Sequence, residues 1–222
     1  FKLFCAGVGN DEPDFINSSR PIKASEVKKC ARSGVTPVEI RIGFDGIVIA
    51  NAKTGTQLDI TMRELYMALA KYVPAPAPTL SGVSADLMIR NPYVTWRDID
   101  IRLPDIKIEV LGPPPTSGTR DSFVEIVMES GANTFPHLAV IKRTDNDHFK
   151  TLVHTLREDG AFIEAGENDN FVIQKLLNND GAYGIFGFSF LDQNLDSIQG
   201  AIVDGVEPDF DTISDAIWLT RD

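Results

Sequence analysis

The sequence is short of the residue types that build reactive centres. It has two cysteines, Cys5 and Cys30, and three histidines in 222 residues. Neither cysteine lies in a C-x-x-C pair, and the histidines form no cluster at metal-ligand spacing. No apolar run approaches the ~20 residues that a membrane-spanning helix needs. Basic residues are outnumbered: 21 Lys and Arg against 32 Asp and Glu leave a net charge of −11. That balance works against nucleic acid and against anionic membranes, which both favour a basic surface. It leaves a small anion open as ligand. Local hydrogen bonds and helix dipoles hold a desolvated anion, and distant charge is screened over ~8–10 Å. Internal repeats are missing, and low complexity is confined to Pro74-Ala-Pro-Ala-Pro78.

What is present is an ordinary globular composition, 43% hydrophobic and 24% charged. The length allows one large domain or two modest lobes. The chain opens in Phe1-Lys-Leu-Phe-Cys-Ala-Gly, which reads as the tail of a helix, and closes at Trp218-Leu-Thr-Arg-Asp222. It therefore reads as a processed or incomplete chain, and the lack of a leader carries no information about compartment.

Strand and helix patterns alternate. Asp14–Asn17, Val38–Gly43 and Ile47–Ala50 read as strands, the last two as a hairpin about Asp45-Gly46. Ser25–Arg32 is helical and stops at Gly34; Thr61–Tyr72 is amphipathic, with Thr61 and Glu64 as a capping box. Lys107–Leu111, Ala139–Ile141, Ala161–Ile163 and Gly184–Phe188 read as further strands, interleaved with helices over 145–158 and 170–178. Such alternation predicts an α/β architecture with largely parallel sheets. In such folds ligands bind where strand ends meet helix starts.

Three loops meet that description. In Gly112-Pro-Pro-Pro-Thr-Ser-Gly-Thr-Arg-Asp-Ser-Phe123 a strand leads through a proline-braced loop into a helix with Phe123, Val124, Ile126 and Val127 on one face. A helix start exposes free N–H groups, which suits a tetrahedral oxyanion. Ser117 and Thr119 add hydroxyls, Gly118 permits close approach, and Arg120 adds a fork of charged donors. The same residues also make an ordinary N-cap, with Thr119 as the capping residue. Asn17-Ser-Ser-Arg-Pro21 repeats this chemistry with Ser18, Ser19 and Arg20, and Pro21 opening a helix. Gly166-Glu-Asn-Asp-Asn170 is the third, with Asn168 and Asn170 at its helix start. Cys5 and Cys30 read either as two buried thiols or as a disulfide closing a loop of about 25 residues, worth about 3 kcal/mol in the chain-entropy model.

Seven stretches together carry a resemblance: Phe1–Gly7, Ser18–Ile22, Ile42–Asn51, Val110–Phe123, Arg157–Asn170, Gly184–Phe190 and Asp204–Pro208. In order, over nearly the whole chain, they resemble the periplasmic phosphate-binding proteins of ABC-type phosphate importers. The resemblance implies a two-lobed α/β fold, the type II periplasmic-binding-protein fold, with the ligand in the interlobe cleft. Lobe 1 would comprise 1–57 and 185–222, without the glycine-rich loop that members carry before the segment like Phe1. Lobe 2 would be 58–184, with crossings near Asn51–Gln57 and Gly184.

It further implies that Ser117, Gly118, Thr119 and Arg120, with Ser18, Ser19 and Arg20, hold inorganic phosphate. Some members place their arginine four residues before the serine, where this chain has Pro113, so Arg120 takes that role here. Some carry an aspartate in the first loop that accepts the phosphate proton; this loop has none, which leaves Asp45 and Asp121 as candidates. Asn168 is a further implied contact. The implied protein is an extracytoplasmic, periplasmic monomer without cofactor or metal, partnered by the permease subunits of the importer. The oxidising compartment of the family implies a Cys5–Cys30 disulfide. Two other readings stand beside it: the same fold tuned to sulfate or molybdate, or an enzyme acting on a phosphorylated substrate. The enzyme needs a nucleophile–base pair or metal near the loops; His137, His148 and His154 lie outside all three, and His148 and His154, six residues apart, read as solvent-facing.

Overall fold

The computed structural model describes residues 1–18, 20–43, 46–75 and 88–213. It divides into two compact units, residues 1–44 and 45–222.

In the first unit the chain begins with a single turn closed by Cys5 N–H on the Phe1 carbonyl at 2.9 Å. Its helix α1 is Ala24–Arg32. The start is fixed by Glu26, whose carboxylate reaches back to the Lys23 N–H at 2.9 Å. Pro21 thus lies three residues ahead of the helix, not at its first position. The end is fixed by Gly34, whose φ of 76° stops helical propagation. Cys5 and Cys30 are both buried and joined as a disulfide, which pins the first turn to α1.

The second unit contains β1 Ile47–Ala52, β2 Asp59–Ile60, α2 Met62–Leu69, β3 Tyr72–Pro74, β4 Met88–Arg90, β5 Val110–Gly112 and α3 Gly118–Phe123. There follow α4 Glu129–Asn133, α5 Pro136–Thr144, α6 Asn146–Val153, β6 Phe162–Glu164, α7 Asp169–Leu176, β7 Tyr183–Gly187, α8 Phe188–Asp192, β8 Ile198–Gly200 and β9 Ile202–Val203. Five strands form one sheet in the order β6-β5-β7-β1-β8. β5 is parallel to β6 and β7, whereas β1 runs antiparallel to β7 and β8. This sheet draws strands from both sequence ranges assigned to lobes. β2 with β9 and β3 with β4 make two small pairs.

Alternation along the central strands splits the core between the two faces of the sheet. Ile49, Val110, Tyr183 and Ile185 pack with Leu65, Tyr66 and Leu69 of α2 and with Phe149 and Val153 of α6. Val48, Ala50, Leu111 and Phe186 pack on the other face with Val172, Ile173 and Leu176 of α7 and Leu191 of α8. Strands covered on both faces read as continuous apolar runs, as β1 and β7 do. α2 begins as expected: Thr61 accepts the Glu64 N–H at 3.2 Å and Glu64 accepts the Thr61 N–H at 2.8 Å.

Four local expectations fail. Val38–Gly43 forms no strand and no hairpin; Val38, Ile40 and Ile42 are 80%, 76% and 92% exposed. Apolar alternation makes a strand only where a neighbour takes its backbone groups, and none does so among the described residues. Asp14–Asn17 is likewise irregular. Ala139–Ile141 lies inside α5, which Pro136 opens at its first turn, because a three-residue apolar run fits helix and strand equally well. After α3 the chain makes a π-helical turn over Val124–Met128, which rotates Ile126 to the surface while Val124 and Met128 stay buried.

Candidate functional site

The three parallel strands β6, β5 and β7 end on one edge of the sheet, and each runs into a helix start. β5 leads through Pro113–Thr116 to α3. Ser117, not Thr119, is the capping residue: its φ and ψ are extended and its Oγ accepts the Thr119 N–H at 3.2 Å. The turn before it is closed by Ser117 N–H on the Pro114 carbonyl at 3.0 Å. Gly118 and Thr119 follow as the first helical residues, so the Ser-Gly-Thr sequence forms the helix start the reading required.

Arg120 turns back along the strand. Its Nη1 donates to the Pro113 carbonyl at 3.0 Å, and its guanidinium carbon lies 4.4 Å from the centroid of the Phe162 ring. Burial lowers its pKa, partly offset by the charge of Glu164, and a guanidinium stays cationic under such a shift. The Phe162 ring occupies space that only a glycine at 112 leaves free: a Cβ there would lie 2.4 Å from Phe162 Cζ. A cleft of about 580 Å³ opens beside Arg120, lined also by Asp121, His154, Arg157 and Glu164. Pro115, Arg120 and Asp121 of the loop and helix start line it, whereas Ser117 and Thr119 do not.

The loop after β6 runs beside the loop after β5. The register Gly112↔Glu164 is extended by Ala165 N–H on the Gly112 carbonyl at 2.9 Å. Gly166, at φ 89°, then makes a bend that a side chain would strain. Asn168 caps α7, accepting the Asn170 N–H at 3.1 Å. Thr116 Oγ1 donates to Glu167 Oε1 at 2.9 Å and joins the two loops. Neither Thr116 nor Glu167 was singled out from the sequence, although each lies in a loop that was. The structure therefore brings the Ser117–Arg120 and Gly166–Asn170 segments together.

Ser18 and Arg20 belong to the first unit; Ser19 and Asp45 lie outside the described residues. Ser18 Oγ donates to the Arg20 carbonyl at 2.7 Å and accepts its N–H at 3.3 Å, a tight local turn. Arg20 donates to both oxygens of Glu26 at 2.9 Å, and to the Pro21 carbonyl at 3.0 Å. Its guanidinium also lies 5.2 Å from the Phe1 ring centroid. Hydrogen bonding from Arg20 holds the Glu26 carboxyl down at about 2. Glu26 carried no role in the sequence reading.

Among the described residues no group of three or more His, Cys, Asp or Glu could hold a metal ion. No described helix is long and apolar enough to cross a membrane. His154 is not solvent-facing as expected: its Nε2 meets Glu129 Oε1 at 2.9 Å, and Lys142 Nζ meets the other oxygen at 2.9 Å. His148 is exposed.

A profile of the PBP superfamily domain matches residues 2–214. The chain belongs to the PBP superfamily. Protein SphX of Synechococcus elongatus is 28% identical to this PBP chain over 203 residues, 91% of the chain and 47% of the relative. Phosphate-binding protein PstS of Staphylococcus saprophyticus is 27% identical over 203 residues, 90% of the chain and 46% of the relative. The chain thus spans about half the length of the curated relatives it matches. A crystal structure with bound phosphate from Clostridium perfringens, assigned as a phosphate ABC transporter substrate-binding protein, aligns with a TM-score of 0.53 at 20% identity. It covers 90% of this chain and 60% of that one, and at such identity it speaks for the PBP fold alone.

Proposed function

We propose that this PBP chain is part of an extracytoplasmic receptor that binds inorganic phosphate and delivers it to the permease subunits of an ABC importer. The observation that carries this is the Ser117-Gly118-Thr119 helix start at the carboxyl end of β5, beside a second helix start after β6. Relatives named phosphate-binding protein match across it. Two adjacent helix starts direct dipoles of the same sign toward one anion. Ser117, Gly118 and Thr119 would donate to the phosphate oxygens. Arg120, folded back to Pro113, would add charge from beside the loop.

Ser18, Ser19 and Arg20 are further proposed phosphate-binding residues, with Arg20 anchored on Glu26. Asp45 and Asp121 remain the candidates for accepting the phosphate proton, and Asn168 contributes through the start of α7. The proposed lobes are 1–57 with 185–222, and 58–184, with crossings near Asn51–Gln57 and Gly184. The receptor acts as a monomer in the periplasm, without cofactor and without catalysis.

The test is phosphate affinity of the full-length protein and its Ser117→Ala and Arg120→Ala variants. Hydrogen bonds to a charged group contribute about 1.5–3 kcal/mol, so each variant should bind roughly tenfold more weakly or worse. Affinity unchanged in both would remove this helix start from the site.

A further inference from the structure

We infer that the Thr116–Glu167 pair is a positioning device for the phosphate loop, and that the Glu167 charge itself opposes the ligand. This rests on the reading of Ser117–Thr119 as the phosphate loop.

Thr116 immediately precedes the capping residue Ser117, and Glu167 immediately precedes the capping residue Asn168. The hydrogen bond between them, 2.9 Å long, therefore joins the residues just ahead of the two helix caps. The strands below are already in register, through Gly112↔Glu164 and the Ala165–Gly112 bond. Among the described residues, Thr116–Glu167 is the side-chain hydrogen bond that links the two loops.

A carboxylate is a poor neighbour for an anion. Glutamine would accept the same hydroxyl proton without repelling phosphate, and both side chains are exposed, so burial does not dictate the choice. The two properties of Glu167, acceptor geometry and charge, can be separated by substitution. The acceptor geometry, which glutamine shares, holds the loop through Thr116. The charge lowers phosphate affinity by an amount that salt should screen.

The experiment uses the full-length protein, titrated calorimetrically with inorganic phosphate at low and at high salt. Hydrogen exchange of the loop amides is followed in parallel without phosphate. Thr116→Val breaks the bond and keeps the charge; it should weaken phosphate binding roughly two- to tenfold at either salt, with faster exchange at Gly118, Thr119 and Asn168. Thr116→Ser should restore both readouts. Glu167→Gln keeps an acceptor and removes the charge; it should bind phosphate as tightly as wild type at high salt and a few-fold more tightly at low salt.

Two results overturn the inference. One is Thr116→Val with wild-type exchange and affinity. The other is Glu167→Gln weakened at both salts, which would make the carboxylate a contributor to binding. Folded wild-type protein that takes up no phosphate would instead sink the phosphate reading. Hydrogen exchange in Thr116→Val would then still decide whether the pair sets the loop.

Discussion

Arg20 places both terminal guanidinium nitrogens on the carboxylate of Glu26, Nη1 on Oε2 and Nη2 on Oε1, at 2.9 Å each. The pair also ties the turn at Ser18 to the first turn of α1, because Glu26 accepts the Lys23 N–H as well. A residue offered by the sequence as an anion ligand is thus also a structural cross-brace of the first unit.

The brace should be pH-sensitive in a defined direction. Hydrogen bonding to Arg20 lowers the Glu26 pKa from its ordinary 4.5 to about 2. A group depressed in the folded state contributes stability that is fully present above its unfolded pKa and lost as pH falls through its folded one. Urea midpoints of wild type and Glu26→Gln should therefore differ at about pH 6, and the difference should close between about pH 4.5 and 2. A difference that does not change with pH would mean the pair contributes nothing as an ion pair.

Gly112 should tolerate no side chain. A Cβ at 112 would meet Phe162 Cζ at 2.4 Å and Cε2 at 2.5 Å, and Phe162 is buried. Overpacking of this kind costs about 1–3 kcal/mol. Gly112→Ala should lower the melting temperature, and adding Phe162→Leu should recover part of the loss. Wild-type melting of Gly112→Ala alone would show that the ring can move aside freely. Because the guanidinium of Arg120 lies on that ring, the same variant should also weaken phosphate binding.

The Cys5–Cys30 disulfide should be quantitative and stabilising. Its sequence separation is 25, for which the chain-entropy model gives about 3 kcal/mol. Thiol titration of the denatured, unreduced protein should find no free thiol, and Cys5→Ser with Cys30→Ser should unfold at lower urea. Two titratable thiols would contradict the bond and the oxidising compartment together.

How far the sequence carried depended on how many independent signals met at one place. At Thr61 a capping pair and an amphipathic apolar spacing agreed, and α2 formed there. At Ser117 a strand, small residues and a helix pattern agreed, and the helix start formed within two residues of the expected cap. Val38–Gly43 had alternation alone, and pairing is a property of a partner that alternation does not supply. Ala139–Ile141 was too short for periodicity to distinguish helix from strand. The π-helical turn after α3 was invisible, since one added residue in a helical turn leaves apolar composition unchanged. Arg20 and Arg120 looked alike in sequence as free forks. Their engagement by Glu26, and by Pro113 and Phe162, depends on three-dimensional neighbours. The Thr116–Glu167 bond spans 51 residues and follows from the parallel pairing of β5 and β6, which no local pattern encodes.

The measurement that bears most directly on the account is calorimetric titration of the full-length protein with phosphate, sulfate and molybdate, beside a Ser117→Ala, Thr119→Val double variant. Hydrogen bonds that require a donor on the ligand discriminate strongly against an analogue lacking one. The account predicts that phosphate binds, that sulfate and molybdate bind far more weakly, and that the double variant loses phosphate binding while its melting curve stays cooperative. Folded protein that binds sulfate or molybdate in preference to phosphate, or a double variant with wild-type phosphate affinity, would contradict it.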